Sequence, residues 1–156
     1  TEYPMPAGGC LLTEPIYAFK LKDLLTYNNS PEYKDINLLR VGRHFRFSPE
    51  CKIIVGRDNE ENEAIKSLGN TKDCLLRVEG VGSPLTIIRG KVTDEALHIA
   101  ASLCARYSDA KKLPEATVAI ISDNKSFYLN VKPADNAIID NYRIEKKGTV
   151  AKLLRL

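Results

Sequence analysis

Ile16, Phe19, Leu24 and Tyr27, joined by Leu21 and Leu25, recur at helical spacing, so an amphipathic helix is predicted over 15–27. Thr13 suits its cap and Pro15 its first turn, and Asn28-Asn29-Ser30-Pro31 ends it. A short helix over 34–40 then leads to Gly42, where the period changes. Arg43-His44-Phe45-Arg46-Phe47 alternates as a strand does, placing Arg43, Phe45 and Phe47 on one face and His44 and Arg46 on the other. Ser48-Pro49 turns the chain into a second strand, Cys51 to Val55, to make a hairpin. Gly56-Arg57-Asp58-Asn59 breaks that strand and opens a helix over 59–68, closed by Gly69-Asn70.

Cys74 to Glu79 and Leu85 to Arg89 read as two more strands around Gly80-Val81-Gly82-Ser83-Pro84. The longest helix is predicted from Thr93 to Tyr107, with Asp94 and Glu95 favoured by its N-terminal dipole. A third hairpin joins Thr117–Ile121 to Phe127–Val131 across Asp123-Asn124-Lys125, and the tail over 143–156 is expected to add an edge strand. Strands in hairpins, interrupted by single helices, predict an α+β fold. The expected sheet is mixed and mostly antiparallel, with helices packed on one face. No strand is followed by G-x-G-x-x-G, which disfavours a dinucleotide-binding sheet.

The organisation predicted is a linker or docking loop over 1–14, rich in proline and glycine, followed by one domain over 15–156. With Met5 internal, the chain is expected to be a fragment of a larger protein. No apolar run reaches the roughly 18 residues needed to cross a bilayer. The cysteines at 10, 51, 74 and 104 form no C-x-x-C pair, and His44 and His98 are the only histidines, so no metal site is expected. Unpaired thiols without an export signal suggest a reducing, cytoplasmic setting.

The net charge of +3 decides little by itself, but its distribution is uneven. Arg40, Arg43, Arg46, Lys52 and Arg57 stand against Glu50, and Arg143, Lys146, Lys147, Lys152 and Arg155 against Glu145. Two basic stretches on an otherwise acidic chain form either a patch that attracts polyanions or two solvated faces.

Ile54-Val55-Gly56-Arg57-Asp58-Asn59-Glu60-Glu61-Asn62 resembles the V-G-R and N-x-x-N motif of the NFACT RNA-binding domain. The resemblance continues in order through Asp73–Leu85, similar to D-x-W-L-H-x-K-x-x-x-G-S-H-V, and through Asp94–Lys111, similar to a helix ending in Y-S-K-A. Leu75, Arg77, Glu79 and Pro84 depart from the family's Trp, His, Lys and His. The front of the chain, with Val41-Gly42-Arg43-His44-Phe45-Arg46, looks like the branch found behind ATP-pyrophosphatase domains of tRNA thiouridylases and thiamine-biosynthesis sulfurtransferases. That resemblance implies a tRNA-binding or docking domain beside an upstream ATP-pyrophosphatase domain. ATP and magnesium would belong to the parent, and no cofactor or catalysis to these residues.

The candidate contacts with RNA phosphates are Arg43, Arg46, Gly56, Arg57, Asn59, Arg77 and Lys111. Gly56 to Asn59 end a strand and start a helix, where free N–H groups attract anions and Arg57 adds a fork suited to phosphate. The alternative pairs Arg57 with Glu61. Phe45 and Phe47 offer stacking surfaces or fill the core. About four phosphate contacts imply a log–log salt slope near −3 to −4. Cys10, in a Gly-Gly-Cys loop, would carry persulfide sulfur if its pKa were lowered, or else packs beside Leu11 and Leu12. His98 reads as structural. The competing reading is a protein-interaction or homodimerising domain that never touches RNA.

Overall fold

The computed structural model describes residues 15–70 and 72–144, so Cys10, the loop over 1–14 and the tail beyond 144 lie outside the described residues. The elements run α1 (Pro15–Tyr27), α2 (Tyr33–Leu38), β1 (Arg43–Ser48), β2 (Cys51–Val55), α3 (Asn59–Leu68), β3 (Cys74–Val78), β4 (Thr86–Gly90), α4 (Asp94–Arg106), β5 (Ala116–Ser122), β6 (Lys125–Val131) and α5 (Asn136–Tyr142). The strands form one sheet in the order β1-β2-β4-β3-β5-β6. Every pairing is antiparallel, so the fold is α+β. Asp123 and Asn124 turn β5 into β6 with φ of 53° and 65°, the left-handed pair that a tight hairpin requires.

Helices cover both faces of the sheet, where one was expected. Phe45, Ile53, Val55, Leu76, Val78 and Ile88 turn towards α4 and α5. Small residues along α4, among them Ala96, Ala100, Ala101 and Ala105, are fully buried there and let the helix lie close on the strands. The alternate residues Ile54 and Ile87 pack against Leu38 of α2 and Ile65 of α3. All five residues of β2 are buried as a result. The unbroken run Ile53-Ile54-Val55 is the sequence trace of a strand covered twice. This second layer stops short of β5 and β6, where Thr117, Ile121 and Tyr128 stand exposed.

Polar groups pin the second layer. Arg89 of β4 donates to Asp35 of α2 at 2.7 Å and to Asp73 at 2.7 Å, and also to the Leu68 carbonyl at the end of α3. His44 is fully buried beneath the α2–β1 connection, and its Nε2 lies 3.0 and 2.9 Å from the carbonyls of Leu38 and Val41. Since carbonyls only accept, Nε2 carries the proton. Burial, followed by the fields of Lys52 and Lys20, holds the ring far below its ordinary pKa, and therefore neutral.

The helix α5 was not anticipated. Asp135 caps it by accepting the Ile138 N–H at 2.9 Å, and Ile139 and Tyr142 close the core, Tyr142 stacking on Phe47. The expected tail strand amounts, within the described residues, to one bridge between Arg143 and Phe45, with the Ile144 N–H donating to the His44 carbonyl.

Candidate nucleic-acid interface

Three separate segments meet at one cleft of about 190 Å³: the β2–α3 turn, the β3–β4 loop and the end of α4. Each is locked by its own side chains. Asp58 caps α3 by accepting the Glu61 N–H at 2.8 Å. Asn62 accepts the Leu85 N–H at 2.9 Å, while the Gly56 N–H donates to the Leu85 carbonyl. Ser83 accepts the Val78 N–H at 2.9 Å and donates to the Pro84 carbonyl, folding the loop back onto β3. The Asp109 N–H donates to the Gly82 carbonyl at 2.9 Å, bringing the end of α4 to that loop.

Gly56 is required by crowding rather than by φ: a Cβ there would stand 2.1 Å from Asn62 Oδ1. The spacing of the V-G-R turn and the second Asn of N-x-x-N thus records one packed contact.

Arg57 rims the cleft with its side chain half exposed, and Glu61 grips it in a fork, Nε at 2.8 Å and Nη2 at 2.6 Å. That grip, chiefly the hydrogen bond from Arg57, holds the Glu61 carboxyl down at about 2. Arg43 lies over the Tyr107 ring at 4.1 Å from its centroid. Burial lowers the pKa of Arg43 first; Tyr107 raises it, and the nearby positive charges of Arg143 and Arg57 lower it further. Arg57 and Arg143 therefore both lie within electrostatic reach of Arg43. Asn59, in the first turn of α3, lines the cleft and is exposed, and Lys111 is exposed two residues beyond Asp109.

Arg46 and Arg77 are placed elsewhere. Arg46 points to the opposite face of the sheet, where Asp23 of α1 accepts from its Nε at 3.1 Å and Tyr27 lies beneath it at 4.4 Å. Its alternation in the strand is as expected, but α1 covers that face and consumes the charge. Arg77 is exposed on β3 beside Ala119, facing away from α4. Phe45 is buried, and Phe47 packs against the same core, so neither ring serves as a stacking surface.

Tyr107, Gly82, Ser83 and Asp109 line the cleft although no site role was expected for them. The signal available was their membership of the G-S and Y-S segments that resemble the family's motifs; the missing part was that these loops touch. Burial pushes the Cys51 thiol up to about 11 and raises those of Cys74 and Cys104, so these three thiols are unreactive. Among the described residues no group of three or more His, Cys, Asp or Glu is placed to hold a metal ion, and no helix is long and apolar enough to cross a membrane.

Fold and cleft together define an antiparallel α+β module with guanidinium groups around a three-loop junction. The model of the NFACT protein RNA binding domain matches residues 42–143, which include every segment of the cleft. The chain belongs to that family, and its role is RNA binding. Among solved structures, it is similar to the C-terminal part of the fibronectin/fibrinogen-binding protein from Streptococcus suis. The TM-score is 0.58 at 15% identity, over 81% of this chain and 67% of that one, a likeness of fold. No curated protein matches the chain significantly.

Proposed function

We propose that this domain holds tRNA by its phosphate backbone at the three-loop cleft, for a cytoplasmic parent enzyme that thiolates tRNA. The observation that carries the reading is the meeting of Arg57, Arg43 on Tyr107, and the flanking loops at one junction. Catalysis, with ATP and magnesium, is assigned to an upstream ATP-pyrophosphatase domain, on the strength of the sequence resemblance at the front of the chain. The α3 dipole is already answered by Asp58, Glu60 and Glu61, so phosphate contact falls to the guanidinium groups rather than to the helix end. Arg43, Arg57 and Lys111 supply three contacts, and the salt slope expected is about −2 to −3.

Fluorescently labelled tRNA titrated at two ionic strengths tests this. Affinity should fall with salt on that slope and fall again in Arg57→Ala. Binding that ignores salt, or that Arg57→Ala leaves intact, removes the reading.

A second reading, protein docking or homodimerisation, is favoured by exposed apolar groups on the hairpin of β5 and β6. Ile121 is 52% exposed and Tyr128 67% exposed, beyond the reach of the second helical layer. Sedimentation of the chain, alone and as Tyr128→Ser, distinguishes a dimer on this face from a monomer.

A further inference from the structure

A second cleft, of about 200 Å³, opens on the other face of the sheet between α1, α2 and strands β1, β2 and β4. Tyr27, Asp35, Arg46, Lys52 and Arg89 are among the residues that line it. The two arginines there are matched: Arg46 is held by Asp23, and Arg89 by Asp35 and Asp73. Lys52 is not. Its side chain is drawn under α1 and α2, leaving the residue 6% exposed, and no hydrogen-bond or ion-pair partner for it exists among the described residues. An ammonium taken out of water needs a counter-charge or loses its proton.

We propose that this cleft is a binding site for a phosphate group, free or carried as a phosphomonoester, seated on the Lys52 ammonium between the Arg46 and Arg89 guanidinium groups. The two forks are taken up by Asp23, Asp35 and Asp73, so the Lys52 ammonium is the charge left to meet a phosphate oxygen. The volume exceeds one water's share of about 30 Å³ several-fold, leaving room for a phosphate and part of what it is attached to. Tyr27, whose ring already carries Arg46, stands at the cleft wall as a surface for that remainder.

The electrostatics agree. Burial first, then the charge of Arg46, opposed by Asp23 and joined by Lys20 and Arg89, together pull the Lys52 pKa down to about 8. The charged and titratable groups facing it are Arg46 from β1, Lys20 and Asp23 from α1, Asp35 from α2, Arg89 from β4 and Glu50 from the β1–β2 turn, with neutral His44 alongside. A bound anion reverses the shift, and binding weakens as Lys52 deprotonates above pH 8.

The site lies across the sheet from α4 and is separate from the RNA reading. Its test uses the 156-residue chain with Lys52 followed by NMR at its side-chain carbon, and inorganic phosphate or adenosine monophosphate as probes. Phosphate should move the Lys52 signal and raise its titration midpoint by about one unit. Lys52→Met should lose phosphate affinity about tenfold or more, while Arg57→Ala keeps it. Tighter binding of the nucleotide than of phosphate assigns the site to phosphomonoesters; equal binding assigns it to free phosphate. A Lys52 signal unmoved by both probes, or affinity retained in Lys52→Met, overturns the proposal. A Lys52 that titrates in the ordinary lysine range before any anion is added also overturns it, because a carboxylate of the chain itself then fills the cleft.

Discussion

Asn62 reaches out of α3 to accept the backbone N–H of Leu85 through its Oδ1, joining the helix to the start of β4 across 23 positions of sequence. The contact satisfies a donor that the β-ladder leaves over, and it occupies the space in which a Gly56 side chain would stand.

Asn62→Ala therefore strands the Leu85 N–H and is expected to cost about 1–3 kcal/mol in urea unfolding. Gly56→Ala drives its methyl into the same oxygen and should cost a similar amount. Because both act on one contact, the double variant should cost less than the two losses added. Strict additivity would show that the two positions are uncoupled.

The pair of Arg57 with Glu61 makes a prediction of opposite sign to the usual loss of function. Glu61→Gln removes the carboxylate that occupies the fork, at a cost of about 0.2–0.5 kcal/mol in helix stability. RNA affinity should rise several-fold, whereas Arg57→Ala should lower it. Anisotropy titrations of both variants decide the matter; equal affinity for Glu61→Gln and the parent would mean that Arg57 does not meet RNA.

His44 gives the fold an acid limit. Its pKa is depressed in the folded chain, so below about 6.5 the unfolded chain binds the extra proton and the folded one does not. Stability should be flat in this respect above that value and fall by up to about 1.4 kcal/mol per unit below it. Glu61, whose carboxyl is lowered in the folded chain from 4.5 to about 2, adds a second loss only below 4.5. Denaturation series at pH 7, 6, 5, 4 and 3 separate the two windows, and His44→Gln should remove the upper one.

Lys52 works in the alkaline direction. Its pKa is lower folded than unfolded, so stability rises with pH between about 8 and 10.5 and the burial cost is constant below 8. In buffer free of phosphate, Lys52→Met is expected to stabilise the chain at pH 7 by about 2–3 kcal/mol, with the gain shrinking above pH 8. Thermal melts of the two proteins at pH 7 and 9 measure this. A gain that does not shrink at pH 9 would assign the stabilisation to packing instead.

Much of the fold was legible because local signals agreed. The alternation Arg43 to Phe47, the break at Gly56 and the run around Asp123-Asn124 placed β1, α3 and the last hairpin where they occur. The second helical layer was not inferred, although Ile53-Ile54-Val55 carried its mark, since a buried strand and one half-buried strand with a stray apolar residue read alike. At the site, sequence identified the charged residues and offered Glu61 as a partner for Arg57, but not Asp23 as the partner of Arg46. Arg46 and Arg57 look equivalent in a string of letters, yet Asp23 lies 23 positions from Arg46 and Glu61 one helical turn from Arg57. Lys52 was counted as surface charge because nothing local announces that two helices will close over it.

The carboxylate already seated in the Arg57 fork turns recognition into an exchange of partners. On the proposed reading, an incoming phosphate has to evict Glu61 before it is held, and Glu61 reclaims the fork when the phosphate leaves. On that reading the grip favours densely charged polymers and releases its cargo quickly, which suits a module that hands a substrate on rather than one that stores it.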